Sequence, residues 1–391
     1  MEKQMLADRH RDVVSTAMSG SADILKEHPN LVNFSLGDPD ITTHDSIINK
    51  AFEDAKAGHT HYTNFYGDFE LIREITKFYE EEYDFKIEED QVFISTSACH
   101  GMWLALEACL NPGDEVIVPE PFFTPYPEQV KLCGGKPVSL PTYEKDDFQI
   151  DPELLRKSIT EKTRAIIVNT PNNPTGACLS KERLIEIGEI AKEHNLVIIA
   201  DDIYTLLSYD QEFVPLNTLK DFFDHTITLR SFSKDYAMTG WRIGYIVAPH
   251  YVIKAIKDIN ENNVFTAPSI SQRAALFALQ NRNEIQKPII EEYRARTMHA
   301  YERINQLDNM SIAKPRGTFY LFPNIKATGL SSEEVADRLL KEAQVLVLPG
   351  TAFGESGEGY IRLAVTVDID AIDEAFDRIE QMSIFNNGGE K

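Results

Sequence analysis

The stretch "TITLRSFSKDYAMTGWRIGYIVAP", residues 226–249, joins two apolar, β-branched runs through a polar turn. Each run has the length and composition of a buried strand. The turn carries Lys234 between Ser233 and Asp235, and Arg242 follows a Thr-Gly-Trp segment. A lysine can form a Schiff base with a bound aldehyde, and an arginine can hold a phosphate. A solvated surface lysine beside a strand is equally consistent with these residues alone.

Similar apolar runs recur through the central part of the chain. They alternate with amphipathic stretches such as "KERLIEIGEIAKEHN" (181–195). Near-continuous apolar strands separated by helices indicate a mainly parallel sheet covered on both faces, so the sequence predicts an α/β fold. The predicted strands are "QVFIST" (91–96), "EVIVPEP" (115–121), "RAIIVNT" (164–170), "LVIIADD" (196–202), "TITLRSF" (226–232) and "RIGYIVAP" (242–249).

The last hundred residues have a different pattern. A long helical stretch, about 284–307, is followed by short apolar runs, a helix near 332–343 and a closing helix, which predicts a smaller α+β domain. The segment "LVNFSLGDPD" (31–40) has no partner strand nearby, so we expect it to pack against that domain. The expected divisions are an N-terminal segment (1–44), a large cofactor-binding domain (45–290) and a small C-terminal domain (291–391).

Composition excludes several classes of partner. The 391 residues include 62 acidic and 39 basic ones, a formal net charge of −23, which repels nucleic acid and anionic membranes. No apolar segment has the length of a signal core or a membrane span. We therefore expect a cytoplasmic protein with reduced thiols, because no metal-site or disulfide spacing links Cys99, Cys109, Cys133 and Cys178.

Polar side chains follow three of the predicted strands. Asn173 comes shortly after "RAIIVNT", Asp201 directly after "LVIIA", and Lys234 after "TITLRSFS". Ligands of open α/β sheets bind beyond the carboxyl ends of the strands, so we expect these side chains at one edge. A pyridine ring carrying an aldehyde needs a carboxylate beside its nitrogen, and Asp201 could supply one. A helix cap or turn acid is the alternative interpretation of Asp201.

The segment "ISTSACHGMWLALEACL" (94–110) is typical of a strand, a small-residue turn and a helix. Free backbone amides at a helix N-terminus bind phosphate. Such turns occur in many α/β folds, so the segment alone is a weak signal. The amides in question belong to Ser97, Ala98, Cys99 and His100.

Four motifs together carry a family resemblance. They are "PNNPTG" (171–176), "DDIY" (201–204), "SFSKDYAMTGWRIGY" (231–245) and "GEGYIRLAVT" (357–366). In this order they resemble fold-type I pyridoxal-phosphate enzymes of the class I/II aminotransferases, which include aspartate and aromatic aminotransferases. The resemblance covers nearly the whole chain. It implies pyridoxal 5′-phosphate and a ping-pong transfer of an amino group from an L-amino acid, aromatic or aspartate, to a 2-oxo acid.

The resemblance also implies roles for individual residues. Lys234 matches the Schiff-base lysine, and Asp201 matches the acid that pairs with the pyridine nitrogen. Arg362 matches the arginine that binds the substrate α-carboxylate, with Gly37 and Asn173 as further substrate contacts. The remaining implied cofactor contacts are Tyr204 and Asn173 at the ring hydroxyl, Phe123 stacked on the ring, Ser231, Arg242, Ala98, Cys99 and His100 at the phosphate, and Tyr62 from the neighbouring subunit of a homodimer.

The chain departs from many relatives in the phosphate turn, where they have two glycines followed by lysine or another residue and this chain has Ala98-Cys99-His100. This departure bears on substrate choice. Some aspartate-using relatives have a lysine at the position matched to His100, and a histidine could bind a distal carboxylate there only when protonated. Aromatic walls would instead favour apolar or aromatic substrates. The residues expected to form such walls are Phe65, Tyr66, Phe123, Phe265 and Tyr320.

Two other functions share the same motifs. A pyridoxal-phosphate carbon–sulfur β-lyase would use the same lysine, aspartate and arginine, although the intact "AMTGWRIGY" and "GEGYIRL" segments favour transamination. A regulatory protein could keep the fold as an effector sensor. The strongly acidic chain has only about thirty residues ahead of the family-like region, which disfavours an attached DNA-binding domain.

Overall fold

The computed structural model describes residues 30–386 continuously, together with Met5 and Ile24. Most of the predicted N-terminal segment 1–44 therefore lies outside the described residues. The strands are β1 (Val32–Asn33), β2 (Val92–Ser95), β3 (Glu115–Glu120), β4 (Lys136–Pro141), β5 (Thr163–Asn169), β6 (Val197–Asp201), β7 (Thr226–Ser231), β8 (Gly244–Val247), β9 (Tyr320–Leu321), β10 (Val345–Leu346), β11 (Leu348–Pro349) and β12 (Ile361–Ala364).

Helices separate most of these strands. Helix α6 (Lys181–Glu193) begins where the Ser180 side chain accepts a hydrogen bond from the Arg183 amide at 3.1 Å, a typical N-cap. The helices are α1 (Asp45–Lys56), α2 (Phe69–Tyr83), α3 (Ser97–Cys109), α4 (Pro125–Leu132), α5 (Pro152–Ser158), α6 (Lys181–Glu193), α7 (His250–Glu261), α8 (Ser269–Gln280), α9 (Arg282–Ile304), α10 (Ser332–Arg338) and α11 (Ile369–Ile379).

Within the described residues, the central sheet has seven strands in the order β2-β8-β7-β6-β5-β3-β4. Both pairings of β8 are antiparallel, and the others are parallel. The mainly parallel α/β sheet predicted from the sequence is confirmed. Asp201 pairs with Asn169 of β5 on one side and Leu229 of β7 on the other. The carboxyl ends of β5, β6 and β7 therefore meet at one edge of the sheet.

Alternate residues of each strand face opposite layers of helix. Ile167 of β5 belongs to a buried cluster with Leu104 of α3 and Ile253 of α7. Its neighbour Ile166 belongs to a second cluster with Ile187 of α6. Successive strand side chains point to opposite faces, so these two adjacent isoleucines pack into two separate hydrophobic cores. This explains the near-continuous apolar strands in the sequence.

The C-terminal part forms a smaller antiparallel sheet in the order β11-β12-β9, flanked by α9, α10 and α11. Strand β1 pairs with β10 in parallel, Val32 opposite Val345, so the segment 31–40 does contact the C-terminal part. The domain boundaries themselves stay a prediction. The helix α9 runs across the expected boundary at residue 290.

Three simpler expectations can also be compared with the described residues. None of their helices is both long and apolar enough to cross a membrane. The four cysteines are unpaired. No cluster of three or more potential metal-ligating side chains is found among the residues that were described.

Candidate active site

A cavity of about 440 Å³ opens at the carboxyl edge of the central sheet. Its walls come from the sheet, from the start of α3 and from the C-terminal part. The sequence-predicted residues that line it are Gly37, Ser97, Ala98, Cys99, Phe123, Asn173, Asp201, Tyr204, Ser231, Lys234, Arg242, Tyr320 and Arg362.

Lys234 lies just beyond β7, and its ammonium group donates a hydrogen bond to the Gly37 carbonyl oxygen. Burial lowers the pKa of Lys234 to about 8; Arg362 acts in the same direction and Asp38 opposes it. A lysine with this pKa loses its proton close to neutral pH, which a nucleophile or general base requires.

Asp201, the last residue of β6, is buried beside the cavity. Its Oδ2 accepts a hydrogen bond from the Tyr126 hydroxyl, and Asn169 Nδ2 donates to its backbone oxygen at 2.9 Å. Its Oδ1 has no hydrogen-bond partner in the described part of the chain. Burial raises the pKa of Asp201 to about 6, and the Tyr126 hydrogen bond opposes that rise. The free Oδ1 could accept a hydrogen bond from a protonated ring nitrogen.

Arg362 of β12 is only 1% exposed, and its guanidinium faces the cavity. Nη1 donates to Asn173 Oδ1 at 3.2 Å, and Nη2 donates to the Ser35 carbonyl oxygen. The guanidinium carbon lies 4.8 Å from the Tyr320 ring centre and 4.9 Å from that of Phe353. Its Nε donates to no described group. A buried, oriented guanidinium with a free donor suits a carboxylate ligand.

Another part of the cavity wall has the features of an anion site. Ser97 begins α3 with a φ of +73°, and Ala98 and Cys99 follow in the first turn. Gly244 of β8 lets this turn approach the sheet, since an added Cβ would lie 2.9 Å from the Ala98 nitrogen. Arg242 brings a positive charge, with Nη1 donating to the Thr239 carbonyl at 2.8 Å.

Aromatic rings and a glycine shape the middle of the cavity. Phe123 packs edge-on against Tyr126 with ring centres 5.5 Å apart. The Tyr204 hydroxyl donates to the Tyr320 hydroxyl at 3.2 Å. A Cβ on Gly37 would lie 1.7 Å from that Tyr320 oxygen, so only glycine fits there. Near the anion site, Ser231 Oγ accepts from the Ser233 amide at 3.1 Å.

The sequence profile of the aminotransferase class I and II family matches residues 29–379. The chain belongs to this family. The aromatic-amino-acid aminotransferase 2 of Thermococcus litoralis is 36% identical, over 96% of this chain and 98% of that protein. The aspartate aminotransferase of Pyrococcus horikoshii is 38% identical over 90% of each chain. The crystal structure of an aromatic aminotransferase from Pyrococcus horikoshii OT3 superposes with a TM-score of 0.88 at 36% identity, covering 94% and 98% of the two chains.

These comparisons confirm that the chain is an enzyme, an aminotransferase, with the aspartate-aminotransferase-like fold. The family depends on pyridoxal phosphate. Both named relatives are aminotransferases.

His100 of this aminotransferase does not line the cavity, contrary to its expected place beside the ligand. Its ring stacks on Trp103 at 6.1 Å, and both ring nitrogens are buried without a hydrogen-bond partner among the described residues. Burial lowers the pKa of His100, which disfavours the imidazolium needed for a distal carboxylate. The cause is helical rotation, since successive residues point about 100° apart and Cys99 takes the cavity-facing position. Its amide is also engaged, donating to Ser97 Oγ at 3.4 Å.

Tyr62 also lies outside the cavity of its own chain, and is 78% exposed. Its ring packs edge-on against Phe265 at 4.8 Å, and Phe65 contacts the same ring at 5.1 Å. Of the five predicted wall residues, only Phe123 and Tyr320 line the cavity. The other aromatic side chains form an external cluster or, in the case of Tyr66, pack against the core.

Tyr126 is the site residue that the sequence analysis missed. It lies three positions after Phe123 in "EPFFTPYP", in the first turn of α4, and bonds directly to Asp201. The motif gave no signal for this contact, because Phe123 lies before the first residue of α4 and Asp201 is 75 residues away in the chain.

Proposed function

We propose that this aminotransferase holds pyridoxal 5′-phosphate in the cavity and transfers an amino group between an L-amino acid, aromatic or aspartate, and a 2-oxo acid. The proposal rests above all on Lys234, Asp201 and Arg362, which line one cavity from three separate parts of the chain. These residue types supply a nucleophile, a carboxylate and an anion clamp.

The residues of the cavity fit this cofactor. Asp201 Oδ1 is buried and free to accept from a ring nitrogen, and Phe123 lies close enough to contact a ring. The turn at Ser97 and the side chain of Arg242 supply donors for a phosphate. A cavity of this size is within the range of roughly 300–1,000 Å³ that small ligands occupy.

The cofactor, when bound, supplies an electron sink for the negative charge that develops at the substrate α-carbon. Lys234 Nζ takes the proton from that carbon, which its pKa of about 8 makes feasible near neutral pH. Arg362 binds the α-carboxylate and thereby orients the Cα–H bond toward the lysine. Asn173, which accepts from Arg362, holds the guanidinium in place.

The charges of the cavity favour a substrate with an apolar or aromatic side chain. Among the described residues, the cations that line the cavity are Lys234, Arg242 and Arg362, and each has a proposed task. Leu36, Phe123 and other apolar groups cover the remaining wall. The name of the Thermococcus litoralis relative supports aromatic donors. The name of the Pyrococcus horikoshii relative supports aspartate, for which a further cation would have to come from outside the described cavity.

We also propose that the enzyme is a cytoplasmic homodimer in which Tyr62 reaches the partner's cavity. A tyrosine that is 78% exposed beside the exposed ring of Phe265 is available for such a contact. The four unpaired cysteines support a reducing compartment.

A donor panel tests the proposed reaction. Purified enzyme loaded with pyridoxal phosphate is assayed for kcat/KM with phenylalanine, tyrosine and aspartate, each with 2-oxoglutarate. We expect aromatic donors to be used at least as well as aspartate. Release of pyruvate and ammonia from cystathionine, with no oxo acid added, would mark a β-lyase. Absence of amino transfer from every donor would contradict the proposed reaction.

A further inference from the structure

Three buried charged side chains lie behind the cavity, on segments that also carry its proposed catalytic groups. Arg230, Asp202 and Asp235 are 4%, 3% and 7% exposed. Asp202 directly follows Asp201, and Asp235 directly follows Lys234. Charged side chains are rarely buried so completely unless their charges are compensated. None of the three lines the cavity itself.

Arg230 is held by aromatic rings. Its Nη2 donates to the Tyr83 hydroxyl at 2.8 Å. The guanidinium carbon lies 5.5 Å from the ring centre of Tyr83 and 5.6 Å from that of Phe78. The rings of Phe213 and Tyr79 lie at 5.7 and 5.9 Å. Several cation–π contacts at a desolvated site fix the position of the positive charge.

The two carboxylates are only partly satisfied by hydrogen bonds. Thr205 Oγ1 donates to Asp235 Oδ2 at 2.7 Å, whereas Asp235 Oδ1, Asp202 Oδ2 and Arg230 Nη1 have no hydrogen-bond partner among the described residues. The Asp202 amide donates to the Leu229 carbonyl at 3.0 Å, which fixes its backbone beside β7. Burial raises the pKa values of both carboxyls, and the charge of Arg230 opposes that rise in each. The register of β6 against β7 sets Asp201 opposite Leu229, so Asp202 and Arg230 are the next residues along two neighbouring strands. A buried positive charge there can compensate carboxylates through space, where the low dielectric strengthens the interaction.

We propose that Arg230 is a positioning residue, whose buried charge holds Asp202 and Asp235 in place and, through the chain, their neighbours Asp201 and Lys234. The catalytic tasks of Asp201 and Lys234 are those of the proposed function, on which this inference rests. Without Arg230, two buried carboxylates would lack a compensating charge, so each would take up a proton or move toward water. Either response would disturb the backbone that directs the preceding side chain, Asp201 or Lys234, into the cavity.

The pH dependence of this cluster has a definite sign. Burial raises the pKa of Asp202 to about 7 and that of Asp235 to about 6, above the unfolded value of roughly 4. The contribution of such carboxyls to the free energy of unfolding is fully present at low pH and is lost as pH rises through their pKa values in the folded protein. Removal of the Arg230 charge raises the pKa values of Asp202 and Asp235 further, so more stability is lost as pH rises. The other ionisable groups near the cluster are Asp201, Tyr79, Tyr83, Tyr236, Tyr245 and Arg282.

Among these neighbours Asp201 also titrates between pH 5.5 and 8, because burial raises its pKa to about 6. Burial raises the pKa values of Tyr83 and Tyr245 above their ordinary value, so both stay neutral at pH 5.5–8. Arg282 stays charged throughout, because Glu81 and Glu82 raise its pKa against the effect of burial.

The first test compares Arg230→Met, Arg230→Lys and the control Arg282→Met, all loaded with pyridoxal phosphate. Arg282 packs on the same Phe78 ring at 5.4 Å but pairs with Glu81 and Glu82. We expect kcat of Arg230→Met to fall by about tenfold or more, as for displaced catalytic groups, with KM nearly unchanged. Arg230→Lys should recover part of the loss, and Arg282→Met should stay near the wild type. A wild-type kcat in Arg230→Met would overturn the inference.

The second test measures Tm of the loaded proteins between pH 5.5 and 8. The Tm deficit of Arg230→Met should widen with pH, and adding Asp235→Asn should narrow it. A Tm deficit of Arg230→Met that does not change with pH would mean that Arg230 contributes only by packing, and it would overturn the proposal. If Arg230→Met fails to fold, Asp235→Asn alone should flatten the wild-type decline of Tm with pH. An unchanged decline in that variant would also overturn it.

The two tests separate this inference from the proposed function. If the wild type transfers no amino group, the proposed function fails, and the Tm series still decides whether Arg230 compensates the carboxylates. If the wild type is active and Arg230→Met matches it in kcat, the positioning role fails while the proposed function stands.

Discussion

Burial acts on Lys234 and Asp201 in opposite directions, and each shift favours the neutral form. It lowers the lysine pKa to about 8 and raises the aspartate pKa to about 6. Each unit corresponds to about 1.4 kcal/mol between the two protonation states. The lysine shift suits a base that must lose a proton. The aspartate shift must be reversed by a positive partner, which a protonated ring nitrogen at the free Oδ1 would provide.

Tyr126→Phe removes the hydroxyl that donates to Asp201. That hydrogen bond lowers the Asp201 pKa, so its loss raises the pKa and leaves less of the carboxylate charged at neutral pH. In a plot of kcat against pH, the acid limb should move to higher pH by about one pH unit. An acid limb at the wild-type position would show that Tyr126 does not control Asp201. Tyr209→Phe, which removes another buried hydroxyl outside the cavity, is the control.

Arg362→Ala removes the proposed carboxylate clamp. Loss of about 3 kcal/mol should lower kcat/KM for amino and oxo acids by about a hundredfold. Retention of pyridoxal phosphate should change little, because the proposed phosphate donors are Arg242 and the first turn of α3. Arg316→Ala, at a surface arginine paired with Asp147, should be neutral. Unchanged kcat/KM in Arg362→Ala would place the carboxylate site elsewhere.

Single residues differ in how well the sequence predicts them. Lys234, Asp201 and Arg362 lie in motifs whose order is specific, and all three reach the cavity. The His100 side chain does not reach the cavity. Each step along a helix turns the side-chain direction by about 100°, and a motif match does not show in which direction a side chain points. Tyr126 was missed because its partner is 75 residues away in the chain.

At the scale of elements, the first turn of α3 and strand β8 form one unit. A Cβ at Gly244 would lie 2.6 Å from the Arg230 carbonyl oxygen and 2.9 Å from the Ala98 nitrogen. Gly244→Ala should therefore destabilise the protein by about 1–3 kcal/mol and weaken pyridoxal-phosphate binding. Thermal unfolding and a fluorescence titration of the cofactor measure the two effects.

Gly240→Ala is the matched control for that substitution. Nothing lies within 4 Å of a Cβ at Gly240, so stability should stay within about 0.5 kcal/mol of the wild type. Equal behaviour of the two alanine variants would mean that the close approach at Gly244 does not matter.

The elements themselves were largely predictable where both faces of a strand are buried. Strand β5, predicted at 164–170, is observed at Thr163–Asn169. The edge strand β4 was not among the predicted strands, since Lys136–Pro141 is half exposed and contains two prolines. The pairing of β1 with β10 joins residues more than 300 positions apart, so the sequence could suggest a contact but not its register.

At the scale of the whole molecule, the exposed aromatic side chains around Tyr62 lead to the prediction of a homodimer. Sedimentation at micromolar concentration should give twice the chain mass. Mixing Lys234→Ala with Tyr62→Phe subunits should create hybrids in which one of the two composite cavities has both native residues. Activity in the mixture above the sum of the two variants is the expected result. A monomer at assay concentration would remove the basis for this prediction.

The central claim is that Lys234 holds the cofactor, and covalent mapping tests it most directly. The enzyme is incubated with pyridoxal phosphate, treated with borohydride, digested and analysed by mass spectrometry. The account predicts a single labelled peptide, which contains Lys234 and is unlabelled in Lys234→Ala. Stoichiometric label on a different lysine, or an equal yield of label in Lys234→Ala, would contradict it.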